Sequence, residues 1–410
     1  MDTGRILNLK KYLNMKKIIY NHQTNKLSEL DLRMVRSVPS GGNWRNIPTT
    51  IPSKRLEQIR ISGGRTTYYG RLRYEFPSYT ISTCFHRPGN GCYIHPEDGS
   101  HGKKAQHRLI SFREAARLQS FPDNYIFYGS KGSKLNQVGN AVPPLLSKAI
   151  ADTIKGQTFI DLFCGAGGMS LGFLMAKKEI VGAIELEKYA CETFKRNHDN
   201  KDILIEGDIS EENNKKNFYI KVKKNLKGRD LDIIIGGPPC QGFSLAGKRI
   251  LEDPRNALFK EYLAVLKYFR PKIFILENVP GLLSMHGGIL IREIIESFSK
   301  IGYKVKQPII LNAEEFGVPQ KRRRLFVVGH LPGILVNFPP KTLFAEKNEK
   351  TLPTITSVFD AISDLPPIYN GLGEEITEFN WKPLSDYQRF LSGNINFDEF
   401  YSSRKKEINY

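Results

Sequence analysis

The chain changes its rhythm at Thr158. From there to about Gly329, short apolar runs recur: 158–164 (TFIDLFC), 180–186 (IVGAIEL), 202–206 (DILIE), 231–237 (LDIIIGG), 272–278 (KIFILEN) and 324–330 (RLFVVGH). Each is too short for a core helix and too continuously apolar for a strand with one wet face. They are predicted as strands buried on both sides. Amphipathic stretches separate them, as in Asn256–Phe269, where Leu258, Tyr262, Leu266 and Phe269 fall on one helical face. Strands alternating with helices predict an α/β fold with a doubly wound, mostly parallel sheet. The flanks, 1–105 and 335–410, are rich in Gly, Pro, Asn and aromatics and have no such alternation. They predict a second, smaller domain.

Composition narrows the class. A length of 410 residues implies two or three domains. Hydrophobic content of 40% with 25% charged residues excludes wholesale disorder and collagen-like architecture. No run of about 18 apolar residues predicts a spanning helix, so no membrane partner is expected. The N-terminal sequence has no apolar h-region, and a secretory signal is not expected. Five scattered cysteines (Cys84, Cys92, Cys164, Cys191, Cys240) speak against a disulfide framework and for a reducing cytoplasm. Cys84, His86, Cys92 and His95 admit a zinc reading, but no helix fits between the pairs. A β-hairpin, YTISTCF–turn–CYIHP, is expected instead, with no metal.

Charge points to the partner. The 61 Lys and Arg exceed the 42 Asp and Glu by 19, which suits an anionic ligand. Residues 1–80 hold 15 basic against 5 acidic residues, about half of that excess. Within them, Arg65-Thr-Thr-Tyr-Tyr-Gly-Arg71-Leu-Arg73-Tyr interleaves cations with aromatics. This fits nucleic acid, and it also fits a solvated basic face. Lys215–Lys227 reads as the exposed face of a helix.

Chemistry concentrates where the predicted strands end. The stretch 159–173, FIDLFCGAGGMSLGF, is a strand, a glycine-rich turn and a helix, with Gly165, Gly167 and Gly168 letting backbone pass close to a ligand. Ser170 stands where the dinucleotide fingerprint wants a third glycine, and no P-loop lysine follows, so NAD and ATP are disfavoured. Glu185 ends the next strand, placed to hold ribose hydroxyls. Asp208, after the third, is placed to meet an adenine amino group. An adenosine without a diphosphate fits, with S-adenosylmethionine the leading candidate. In 236–244, GGPPCQGFS, two prolines stiffen the chain before Cys240 and glycines flank it. That scaffold suits a nucleophile better than a buried thiol, and Cys164 and Cys191 are expected in the core. Glu277, at the end of KIFILEN, is placed to hold or donate a proton. Arg322 and Arg324 alternate with Arg323, so the pair is expected on one strand face.

Together these motifs resemble the DNA (cytosine-5)-methyltransferases of bacterial restriction–modification systems. The likeness rests on DLFCGAGGMSLGF, the Glu185 acid, GDI at 207–209, GGPPCQGFS, ENV at 277–279 and QKRRR at 320–324. REAARLQSFPD at 113–123 and QVGNAVPPLL at 137–146 complete the set. The order departs from the family's. QVGNAVPP ordinarily comes last, yet here it precedes the glycine-rich strand, joined by the helix PPLLSKAIADTI and a link of a few residues. A circular permutation is expected, and a short closure costs little entropy. DAISDLPP at 360–367 and SDYQRFL at 385–391 resemble the start of the family's target-recognition region. Residues 18–48 resemble its continuation.

The resemblance implies a Rossmann-like S-adenosylmethionine-dependent methyltransferase domain, with a smaller target-recognition domain built from both chain ends. The expected boundaries are 1–110 and 341–410 for recognition, 111–157 for the displaced motifs, and 158–340 for catalysis. It implies catalytic roles for Cys240, Glu277, Arg322 and Arg324, with cytosine flipped out of duplex DNA and attacked at C6. Phe163, Gly165, Gly167, Gly168, Glu185, Asp208, Ile209 and Pro239 would hold the cofactor, with Asn140 and Ala141 closing its methionine end. Arg45, Arg65, Arg71, Arg73 and Gln241 are the candidate DNA contacts. Arg113, Gln119 and Asp123 are expected to brace the recognition region. A bacterial cytoplasmic monomer is expected, beside a cognate restriction endonuclease that acts on the same site without touching it. A tRNA methyltransferase and a catalytically inactive DNA-binding homologue are the competing readings.

Overall fold

The computed structural model describes residues 15–199, 201–239, 257–347 and 351–406. The chain divides into two compact units, one within Met1–Asn140, Gly317–Arg322 and Leu343–Tyr410, the other Ala141–Phe316 with Arg323–Thr342. Residues 111–140 therefore belong to the first unit, and 141–157 to the second.

The first unit opens with β1 (Met15–Gln23) and continues through α1 (Lys54–Ile61), β2 (Gly70–Arg71), β3 (Ser78–Tyr79), β4 (Cys92–Ile94), α2 (Phe112–Leu118) and α3 (Lys131–Asn140). The expected hairpin across residues 79–96 does not form. β4 instead pairs parallel with β2. The Pro88–Asn90 segment folds as a 3-10 turn, and Tyr69 and Gly70 donate their N–H groups to Pro88 O and Gly91 O. Gly70 permits this approach, because a Cβ there would stand 2.7 Å from Cys92 Cβ. Cys92 and His95 are buried, and His95 Nδ1 accepts the Glu97 N–H.

The second unit begins with α4 (Pro144–Asp152), followed by β5 (Thr158–Leu162), α5 (Gly168–Met175), β6 (Glu179–Glu185) and β7 (Leu204–Glu206). It continues through α6 (Glu212–Leu226), β8 (Ile233–Gly236), α7 (Ala257–Phe269), β9 (Ile273–Asn278), β10 (Lys304–Val305) and β11 (Ile309–Asn312). The chain returns to the first unit for β12 (Gln320–Lys321), which pairs with β3, and then re-enters the second as β13 (Arg323–His330). It ends in the first unit, where β14 (Gly373–Trp381) lies antiparallel to β1 from Met15↔Trp381 to Gln23↔Gly373.

The large sheet runs β10-β13-β9-β8-β5-β6-β7, with β11 also paired to β13. Strands β5 to β9 are mutually parallel, and β13 closes the edge antiparallel to β9. Their Ile and Val side chains are buried on both faces: Ile160, Ile233, Ile234, Ile235, Ile273 and Ile275 have no exposed surface. Each such side chain contributes about 1.5–3 kcal/mol by leaving water. The chain lays down β5, β6 and β7 outward in one direction, then crosses to place β8 on the other side of β5. That reversal leaves a crevice at the carboxyl ends of β5 and β8, the usual ligand position in such sheets. α6 carries the lysine run, with Phe218, Val222 and Leu226 turned inward. No helix among the described residues is long and apolar enough to cross a membrane.

Candidate active site

The glycine-rich turn leaves β5 at this crevice. Phe163, Gly165 and Gly167 all have φ in the left-handed region, at 60°, 54° and 86°. For Phe163 that conformation is strained, a feature that clusters at ligand sites. Gly167 caps α5 without a side-chain partner, so the helix presents its first N–H groups to the crevice. A Cβ on Gly165 would meet nothing within 4 Å, so the space above the turn is open. Two carboxyls fix the turn from below. Glu185 accepts the Gly165 N–H and the Glu187 N–H, each at 2.8 Å. Asp161 accepts from Ser170 Oγ at 2.5 Å, so the serine that replaces the fingerprint glycine is a structural partner. Burial, reinforced by Glu185, pushes the Asp161 carboxyl up to about 7.

Asp208 follows β7, half-buried, and accepts the Ser210 N–H. Ile209, expected at the adenine edge, is 2% exposed and packs in the hydrophobic core. Its side chain is therefore not available to a ligand. Leu186, which the sequence reading passed over, is 67% exposed directly after Glu185. Asn140 is exposed at the end of α3, and Ala141 is half-buried.

On the other side of the switch, β8 runs into Gly237-Pro238-Pro239. Cys240 and Gln241 lie outside the described residues. Pro239 is exposed, and Pro238 O accepts from Asn278 Nδ2 at 3.0 Å. A Cβ on Gly237 would stand 2.7 Å from Glu277 Oε2, so this glycine lets the loop lie against the carboxylate. Glu277 in turn pairs with Arg324, Oε1 to Nε 2.9 Å, with about one-eighth of each side chain exposed. The antiparallel register places Phe326 opposite Glu277, which brings Arg324 alongside it. Such a partly desolvated, charge-assisted pair fixes the orientation of the carboxylate. Among the described residues, the buried thiols are unsuited to attack. Burial pushes Cys92 and Cys191 up to about 12 and holds Cys164 well above the ordinary thiol range.

Arg322 does not share Arg324's face. Strand pairing is interrupted between Lys321 and Arg323, so the alternation that predicted a common face is broken there. Arg322 is fully buried, donating to Ile81 O and Gly139 O at 2.8 Å each. It is a tie within the first unit. Gln320, two residues before, accepts the Ile81 N–H and donates to Leu118 O and Gln119 Oε1.

Of the candidate DNA contacts, Arg45, Arg65 and Arg73 are exposed. Arg71 is not: it is 1% exposed and donates to Val35 O, Val38 O and His95 O. Those carbonyls need its guanidinium, so it holds the fold together and does not reach DNA. Arg113 and Asp123 are likewise buried, Arg113 on three carbonyls and Asp123 on Arg117 and Lys17.

The family model for C-5 cytosine-specific DNA methylase matches the chain in two segments, 3–156 and 157–409. The chain belongs to that family. Among similar proteins, Type II methyltransferase M.DdeI of Desulfomicrobium norvegicum is 40% identical over 244 residues, covering 56% of this chain and 53% of that one. Type II methyltransferase M1.HphI of Haemophilus parahaemolyticus is 39% identical, covering 52% and 54%. Type II methyltransferase M.AquIA of Picosynechococcus is 38% identical, covering 51% of this chain and 88% of its own length. The chain thus spans about half the length of the first two relatives. At the strand ends of this chain, Glu277, Asn278 and Arg324 lie beside the proline loop, and Glu185 holds the glycine turn.

Proposed function

We propose that this chain transfers a methyl group from S-adenosylmethionine to C5 of cytosine in a specific duplex DNA sequence, as the modifying half of a restriction–modification system. The observation that carries this reading is the Glu277–Arg324 pair, set against Gly237 with Asn278 anchoring Pro238, at the carboxyl ends of β8 and β9. The cofactor fits the residues present. The open turn at Gly165, the carboxylates of Glu185 and Asp208 on neighbouring strand ends, and the exposed apolar Leu186 suit an adenosine. The turn offers no lysine or arginine for a diphosphate. Phe163, Gly167, Gly168 and Pro239 would line the same ligand, with Asn140 and Ala141 at its methionine end.

The Cys240 thiolate would form a bond to C6 of the flipped cytosine, pushing electron density to C5. Glu277, held in place by Arg324, would bind N3 and share a proton with it as that charge develops. Arg324 would lie beside the cytosine O2. S-adenosylmethionine supplies the methyl group as an electrophile on a sulfonium. Loss of the C5 proton then lets the thiolate leave. The first unit, with its basic N-terminal third, would read the DNA, and the second would carry the chemistry. The chain would act as a monomer, with a cognate endonuclease cutting the same sequence independently.

The permuted order belongs to the same proposal. The family model meets the chain in two segments that divide at 156/157, and α4 packs on α5 through Ser147 Oγ and Met169 O. The β1–β14 ribbon brings early and late segments into one unit.

Labelled methyl transfer to duplex DNA and to tRNA tests the function. Wild-type protein is expected to label DNA only, and to form a covalent complex with 5-fluorocytosine duplex when cofactor is present. Cys240→Ala should lose both while retaining cofactor affinity. Labelling of tRNA alone, or full activity in Cys240→Ala, would overturn the reading.

A further inference from the structure

A cavity of about 740 Å³ opens within the first unit. Its lining includes Arg55, Arg65, Tyr68, Thr80, Thr83 and Asn90. Three contacts orient the exposed Arg55 side chain. Its Nη2 donates to Asn90 Oδ1 at 2.6 Å, its guanidinium lies 5.9 Å from the Tyr69 ring centre, and it rests flat against Gly89. A Cβ on Gly89 would stand 2.5 Å from the guanidinium carbon, so the absent side chain is what admits the fork. Among the described residues Arg55 makes no other hydrogen bond or ion pair. Four of its five N–H donors therefore remain available, on a side chain that these contacts orient.

A second lining segment, around Ile81, is tied down from behind. Buried Gln320 and Arg322 grip Ile81 through its N–H and its carbonyl, and Gly139 packs against the backbone of Thr83. Thr80 and Thr83 flank this stretch and line the cavity, the Thr80 hydroxyl donating to Lys321 O and keeping its lone pairs for a ligand. An arginine fork beside a carboxamide, in a cavity that threonines also line, is chemistry that reads purine edges, with arginine on guanine O6 and N7 the commonest pairing.

We infer that Arg55, oriented by Asn90 and Gly89, is a specificity-determining residue that reads a guanine in the recognised duplex. The inference rests on the DNA-methylating function proposed above. Gln320 and Arg322 act through the groove wall and are positioning residues.

The test uses the full chain with S-adenosylmethionine, a pool of random duplexes for binding selection, and base-resolution mapping of methylcytosine on genomic DNA. Wild-type protein should select and methylate one sequence containing guanine. Arg55→Ala should lower both at that sequence by about 10- to 100-fold and admit other bases at one guanine position. Gly89→Ala keeps every charge and displaces only the end of a flexible side chain, so it should fold normally and show the same relaxed position. Lys54→Ala, exposed on the same helix, should keep the wild-type sequence. Unchanged selection in both Arg55→Ala and Gly89→Ala would overturn the inference, as would failure of wild-type protein to select any sequence. Selection without methylcytosine would instead sink the proposed function and leave the groove standing.

Discussion

Asp161 shows what a single buried carboxyl does to the whole chain's pH response. Its folded value of about 7 lies above the ordinary 3.8, chiefly through burial. The folded state therefore holds the proton in a range where the unfolded chain has released it. Stability contributed by the neutral group is complete below about pH 4 and declines as pH rises towards 7, opposite in sign to a salt-bridged aspartate. Asp161→Asn removes the ionisation and keeps a group able to bond Ser170. Denaturant midpoints measured at pH 5 and pH 8 should show the variant gaining on wild type at the higher pH, by on the order of 3 kcal/mol. An equal difference at both values would mean that the carboxyl ionises as freely inside as outside. The same turn answers to Glu185, so cofactor affinity should change less than stability.

At the scale of elements, the crossing of α4 on α5 depends on Gly172. A Cβ there would stand 2.6 Å from Lys148 N, a backbone atom that cannot swing aside. Gly172→Ala would ordinarily favour the helix, but overpacking should reverse the sign and lower the free energy of unfolding by about 1–3 kcal/mol, as read by denaturant titration. A stabilised variant would mean that the helices do not meet as described. The long elements were legible in the sequence, because short Ile- and Val-rich runs favour buried strands, and the motif residues sit where those runs stop. Arg71 and Arg322 were not. Each is bound by carbonyls far away in the chain, and nothing in an alternating basic stretch distinguishes a guanidinium facing water from one facing Val35 or Ile81. The expected hairpin failed for a related reason. Its two halves alternate correctly, but β4 pairs with β2, admitted by Gly70, and β3 pairs with β12. Arg55 was passed over because its fork is organised by Gly89 and Asn90, 34 and 35 residues on, and its own helix shows only a surface charge.

For the whole molecule, the proposed permutation predicts that chain order is dispensable. A chain joined from residue 410 to residue 1 and reopened before Thr158 should be soluble and methylate the same sequence, as read by methylcytosine mapping. Aggregation of the reopened chain, with the parent soluble under identical conditions, would count against the permuted order. The β1–β14 ribbon carries a further consequence for how such a chain comes into being. Its two strands are about 350 residues apart, so at about 5–20 residues per second β1 waits roughly 20–70 s on the ribosome for its partner. All strands of the large sheet emerge within that interval. A newborn chain would, on the proposed function, hold its strand-end residues before it could complete the unit that chooses a sequence. On the proposed function, protection of the cell's DNA lags synthesis by the time needed to deliver one late strand.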